Sequence, residues 1–153
     1  MLPIKKIVCP TDFSEPSYEA LKTAVEMAEH FSSELIVVHV VTPIPFIPIH
    51  DDPSSFNLPL YEKEMEASAR KSLDDLFKEK IPTSINGRTT VMQGDPATQI
   101  VRLADEEDAE MIIIATNGLT GLRKFMFGSV TEKVIRFSNC PVLSIRVSAT
   151  EET

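Results

Sequence analysis

Cysteine, positive charge, histidine and long apolar runs are all scarce in this chain, and each shortage excludes a class of protein. Cys9 and Cys140 are the two cysteines among 153 residues, each followed by proline and lying in or next to a strand pattern. They read as small buried thiols rather than a disulfide framework, which fits a reducing cytoplasm. Lys and Arg number 15 against 23 Asp and Glu, a formal net charge of −8. Counterion release from nucleic acid needs clustered cations, as does attraction to an anionic bilayer, so neither partner is expected. No apolar run approaches the roughly 18 residues of a membrane span, and no h-region of about 7–15 apolar residues follows Lys5-Lys6. A cytoplasmic protein is therefore expected. His30 has no second histidine at metal-ligand spacing, and no Walker A lysine motif, Ser-His-Asp order or metal cluster is visible. Of the acids and lysine that a response-regulator site requires, only Asp12 is in place.

What is present is alternation. A chain of this length with 42% hydrophobic content suits one domain, taken as residues 1–148 with a flexible tail at 149–153. Strand patterns fall at Ile4–Cys9, Glu34–Val41, Arg88–Gln93, Met111–Ile114 and Val142–Val147. Helical patterns come between them, from Ser14 or Glu15, over Leu60–Lys80, from Pro96 behind an Asp95 cap, and over Thr131–Ser138. Tyr61, Met65, Ala69, Leu73 and Leu76 form the stripe of the second helix. Ala97, Ile100, Val101 and Ala104 line the third, and Val134, Ile135 and Phe137 are the inward candidates of the fourth. Four strand-helix units and a final strand predict a doubly wound parallel α/β sheet. Residues 42–59 interrupt the rhythm with five prolines; this long loop is expected to fold over the sheet edge or a partner subunit, or to serve as a connector.

The stretch from Glu110 to Glu132 organises the rest. Met111 to Ile114 reads as a strand buried on both faces, Ala115 to Gly118 as a small polar loop, and Gly128-Ser129 as a helix start. Ser129 and Glu132 stand in the S-x-x-E relation of a capping box. Strand, glycine loop and helix start can bind phosphate through backbone N–H groups and the helix dipole, and can equally be a tight connection. Asp12, in Pro10-Thr11-Asp12-Phe13-Ser14, falls just past the first strand, where open sheets place ligands; it also suits an aspartate that organises its own turn. His39 reads as a hydrogen-bonded core or edge residue.

Gly118, nine residues, then Gly128-Ser129, followed by Val130 to Ile135 and by Cys140-Pro141-Val142, resembles the universal stress protein family. The family's nucleotide-binding branch carries Gly, two residues, Gly, nine residues, Gly and Ser or Thr. Here Ala115 replaces the first glycine, adding a methyl where the family's backbone comes close to the nucleotide. The resemblance covers nearly the whole chain apart from the proline-rich loop and the last residues. It implies a Rossmann-like, adenine nucleotide alpha hydrolase-like three-layer sandwich with strand order 3-2-1-4-5. It further implies a site for ATP, ADP or AMP made by Pro10, Thr11, Asp12, Val40, Ile114, Ala115, Asn117, Gly118, Gly128, Ser129 and Val130. In that site Val40 would meet adenine through its backbone, and Asp12 would act through nucleotide-bound Mg, because a bare carboxylate repels polyphosphate. Arg123 and Lys124 could offset phosphate charge or simply be solvated. A regulatory homodimer joined through the last strand, working with a further signalling partner, is the function implied. The competing readings are a dimeric interaction module that binds no nucleotide and, at most, slow ATP hydrolysis.

Overall fold

The computed structural model describes residues 2–43, 57–116 and 128–147. Five strands form one parallel sheet: β1 (Lys6–Pro10), β2 (Glu34–Val41), β3 (Gly87–Gln93), β4 (Met111–Ala115) and β5 (Val142–Ile145). Between them run α1 (Glu15–Phe31), α2 (Leu58–Lys80), α3 (Pro96–Glu106) and α4 (Ser129–Phe137). The spatial order is β3-β2-β1-β4-β5, as the resemblance implied.

Side-chain alternation builds the three layers. Ile7, Cys9, Leu35, Val37, Met111 and Ile113 point to the face covered by α1 and α2. Val8, Ile36, Val38, Ile112 and Ile114 point to the face covered by α3 and α4. The central strands are thus apolar on both sides, which is why they read as unbroken hydrophobic runs. Full burial of each such side chain contributes about 1.5–3 kcal/mol. Cys9 is wholly enclosed, and burial pushes its thiol up to about 12, so it remains a neutral core residue.

Local chemistry sets the helix starts. Ser14, Asn57 and Asp95 each cap a helix through a side-chain oxygen, with proline in the first turn that follows. The Asn57 cap starts α2 two residues before the expected Leu60, with Pro59 inside the helix rather than in the loop. Several other expectations need correction. β1 ends at Pro10 rather than Cys9, and β5 at Ile145 rather than Val147. Leu103 joins the buried face of α3. Ile135 and Phe137, expected inside, are 44% and 63% exposed, and Thr131 with Val134 forms the buried side of α4.

The amino ends of the strands are held by charge. Lys6 Nζ reaches Glu34 at 3.8 Å and Glu107 at 3.2 Å, and Arg88 reaches the same two carboxylates at 2.8 and 2.6 Å. These pairs tie β1, β2, β3 and the end of α3 into one ring. Among the described residues no helix is long and apolar enough to cross a membrane. The proline-rich segment 44–56, Asn117, Gly118, Arg123, Lys124 and the tail 149–153 lie outside the described residues.

Candidate functional site

The chain leaves β1 toward β2 and β3 on one side, and β4 and β5 fill the other. The switch point between β1 and β4 is where such sheets open a crevice beyond their carboxyl ends. A crevice of about 460 Å³ lies there. Segments more than a hundred residues apart supply its walls.

The first wall is the β1–α1 loop, with Pro10, Thr11 and Asp12. Thr11 N donates to Val38 O at 2.8 Å, so the loop leaves β1 still bonded to β2. His39 Nδ1 bonds Thr11 O at 2.8 Å; a carbonyl only accepts, so Nδ1 carries the proton. Thr11 Oγ1 lies 3.0 Å from Ser17 Oγ and accepts from Phe13 N at 3.1 Å. Asp12 Oδ1 accepts from Ser14 N at 3.0 Å and from the Ser14 hydroxyl. Asp12 therefore organises its own turn and also lines the crevice; the two readings of it are compatible. Phe13 holds a left-handed backbone, φ 63°, with its ring 4.6 Å from that of His39.

The second wall is apolar. Val38 and Val40 of β2 face Pro96 and Ile100 at the start of α3. The third wall is the end of β4 with the start of α4: Ile114, Ala115, Gly128, Ser129, Val130 and Thr131. Thr131 Oγ1 donates to Ala115 O at 2.6 Å, and Gly128 N donates to Thr116 O at 2.7 Å. A Cβ on Gly128 would sit 3.3 Å from that Thr116 oxygen, so glycine permits this close approach.

These bonds hold the amino end of α4 against β4, and they overturn the expected capping box. Gly128 is the cap residue, Ser129 is the first helical residue, and among the described residues no side chain caps the helix. Glu132 instead pairs with Arg136 at 3.1 Å. A helix start offers backbone N–H groups that its own turns do not use. Here those of the first turn lie beside the crevice, where the dipole favours an anion by about 0.3–1 kcal/mol, up to ~2 when partly buried.

Ala115 is placed by alternation. Its neighbours of the same parity, Met111 and Ile113, face α1 and α2, and its register partner Ile145 packs in that same layer. The methyl of Ala115 therefore turns toward α1. Val38, Val40 and Ile114 belong to the opposite layer, with α3 and α4.

Nine of the eleven residues named for the site line this crevice: Pro10, Thr11, Asp12, Val40, Ile114, Ala115, Gly128, Ser129 and Val130. Asn117 and Gly118 lie outside the described residues. Ser17, Val38, His39, Thr42, Pro96, Ile100 and Thr131 also line it and were not anticipated. Val38 was legible in principle, since it shares a strand face with Val40. Thr131 was not, because a hydroxyl in a helix's first turn has many uses. No Lys or Arg lines the crevice among the described residues, and none of those residues forms a cluster of three or more metal-ligating groups. Among the described residues, a polyanion here would be met by main-chain dipoles.

Sheet order, crevice and helix start together define a doubly wound α/β protein with a crevice at the switch point. Residues 3–146 match the Universal stress protein family, and the chain belongs to it. Universal stress protein MJ0531 of Methanocaldococcus jannaschii is 34% identical over 142 residues, covering 93% of this chain and 82% of that protein. Universal stress protein MJ0577 of the same organism is 30% identical, covering 93% and 94%. A solved structure of MJ0577 superimposes with a TM-score of 0.81 at 28% identity, over 96% of this chain and 99% of that one. A universal stress protein from Archaeoglobus fulgidus, solved in complex with dAMP, gives a TM-score of 0.57 at 26% identity, covering 95% and 99%.

Proposed function

We propose that this crevice binds an adenine nucleotide, ATP, ADP or AMP, and that the protein acts as a homodimeric stress-response regulator. The observation that carries the reading is the start of α4, capped by a glycine rather than by a side-chain oxygen of its own cap residue, set across one crevice from Asp12. The apolar wall of Val38, Val40, Pro96 and Ile100 suits a base, and the volume lies within the roughly 300–1,000 Å³ of ligand clefts. The relative solved with dAMP supports the same ligand class.

In this reading the phosphates lie on the N–H groups of Ser129 and Val130, with the Ser129 hydroxyl as a further donor, and the family motif adds the N–H groups of Asn117 and Gly118 as further donors. Mg would arrive with the nucleotide and neutralise phosphate charge, while Asp12 binds its water shell, since Mg keeps several waters and takes few protein carboxylates. Any ATP hydrolysis would be slow, with Asp12 the candidate for holding the water. The dimer would form along β5, an edge strand.

Isothermal titration with Mg-ATP, together with mass identification of nucleotide released by heating, tests the reading. Heat of binding or a co-purified adenine nucleotide is the expected result. No heat and no thermal shift at about 1 mM, near −4 kcal/mol, would leave the interaction-module reading in its place.

A further inference from the structure

On the opposite face of the sheet from α3 and α4, a second and larger hollow of about 820 Å³ runs between the outer sides of α1 and α2. We propose that this groove docks a cationic, amphipathic segment of a partner protein.

Its floor is apolar and made by both helices and the loop before α1: Phe13, Leu21, Val25 and Leu76, with Tyr18 beside them. Leu21 and Leu76 are core residues, so the groove reaches down to the core rather than lying on a charged skin. The rim is acidic. Glu15, Glu19, Glu26, Asp75 and Glu79 line it against Lys22 and Lys80. Lys80 is already engaged, 3.6 Å from Glu79 and 5.6 Å above the Tyr18 ring. Asp75 pairs with Lys71 at 3.0 Å, but both side chains are largely exposed, and such a pair exchanges readily for another cation.

Charge selects the occupant. A second copy of this chain is already placed at the β5 edge in the dimer proposed above, and its predominantly acidic surface does not complement this acidic rim. Nucleic acid and anionic lipid, both polyanions, are repelled by the rim. A segment bearing Lys or Arg on its flanks and Leu or Ile along its centre meets the carboxylates with its edges and the floor with its middle. The reach is sufficient. Glu15 to Glu26 on α1 spans ~16 Å at the helical rise of about 1.5 Å per residue, room for about three turns of a bound helix.

The probe is a fluorescent peptide with lysine and leucine at helical spacing, titrated by anisotropy at about 0.15 M salt. A twin peptide has serine for leucine at unchanged charge. The leucine peptide is expected to bind at least about tenfold more tightly than the serine twin, because only it reaches the floor. Replacing Glu19→Lys and Glu26→Lys together is expected to weaken it about tenfold. The equally charged pair Glu29→Lys and Glu64→Lys, on exposed positions off the groove, is expected to leave it within about twofold. Thermal melts establish that both variants fold, and the comparison of the two peptides needs no variant at all. Equal binding of the twins, equal loss in both variants, no binding by the leucine peptide, or an oligomer that the groove variant alone dissolves would each overturn the proposal. None of these readouts involves nucleotide, so they succeed or fail apart from the crevice reading.

Discussion

Ala115 stands where the nucleotide-binding motif has glycine, yet its methyl turns toward α1 and the layer of Ile113 and Ile145. If nucleotide enters as proposed, Ala115→Gly should change its affinity by less than about threefold, read by titration calorimetry. A large gain would mean that the methyl obstructs the ligand. Thr131 is the more consequential residue. Its hydroxyl donates to Ala115 O at 2.6 Å in a buried setting, joining α4 to the end of β4. Thr131→Val keeps the shape and orphans that carbonyl, so it should lower stability by about 1–3 kcal/mol in urea unfolding. A loss under about 0.3 kcal/mol would show that the bond does not hold the two elements together. At this scale the sequence was partly readable: a strand followed by glycines marks a site, but which oxygen each hydroxyl meets depends on contacts between distant segments.

Among the elements, the strands were easiest to read, because central strands buried on both faces leave unbroken runs such as Leu35–Val38 and Met111–Ile114. The start of α4 was misread for a physical reason. Ser129 and Glu132 have the spacing of a capping box, but Gly128 N bonds Thr116 O and makes the glycine the cap, which moves Ser129 into the helix. The inward face of α4 was also misjudged, since so short a helix is compatible with several arcs and only packing selects that of Thr131 and Val134. β5 carries the prediction at this scale. Ile112 N donates to Pro141 O and Thr116 N to Ile145 O, so in this parallel ladder the odd residues of β5 face β4. Ser144 then turns its backbone outward along the free edge. Ser144→Pro removes that outward N–H and keeps the ladder to β4. Light scattering at micromolar concentration should find wild type as a dimer and the variant as a monomer. A dimeric variant would place the interface elsewhere.

Across the whole molecule, the order of strands and the position of the crevice followed from alternation together with the family motif. The ion-paired ring at the amino ends did not, because Lys6, Glu34, Arg88 and Glu107 are far apart in sequence and each alone is an ordinary surface charge. The Arg88 guanidinium, and then Lys6, hold the Glu107 carboxyl below its usual 4.5. A carboxyl whose folded value is depressed stabilises the protein fully above its unfolded value, and that contribution fades as pH falls through the lower folded one. Denaturant melts of wild type and Glu107→Gln should therefore differ most near neutral pH and converge as pH falls through the depressed folded value of Glu107. A gap that stays constant across that range would mean that the ring adds nothing through charge. The exposed setting of these side chains keeps the effect small.

That ring also divides the fold into two ends with different freedoms. With β1, β2, β3 and α3 pinned at one end by side chains that do not line the crevice, the loops at the other end can change length and composition while the sheet beneath them keeps its register.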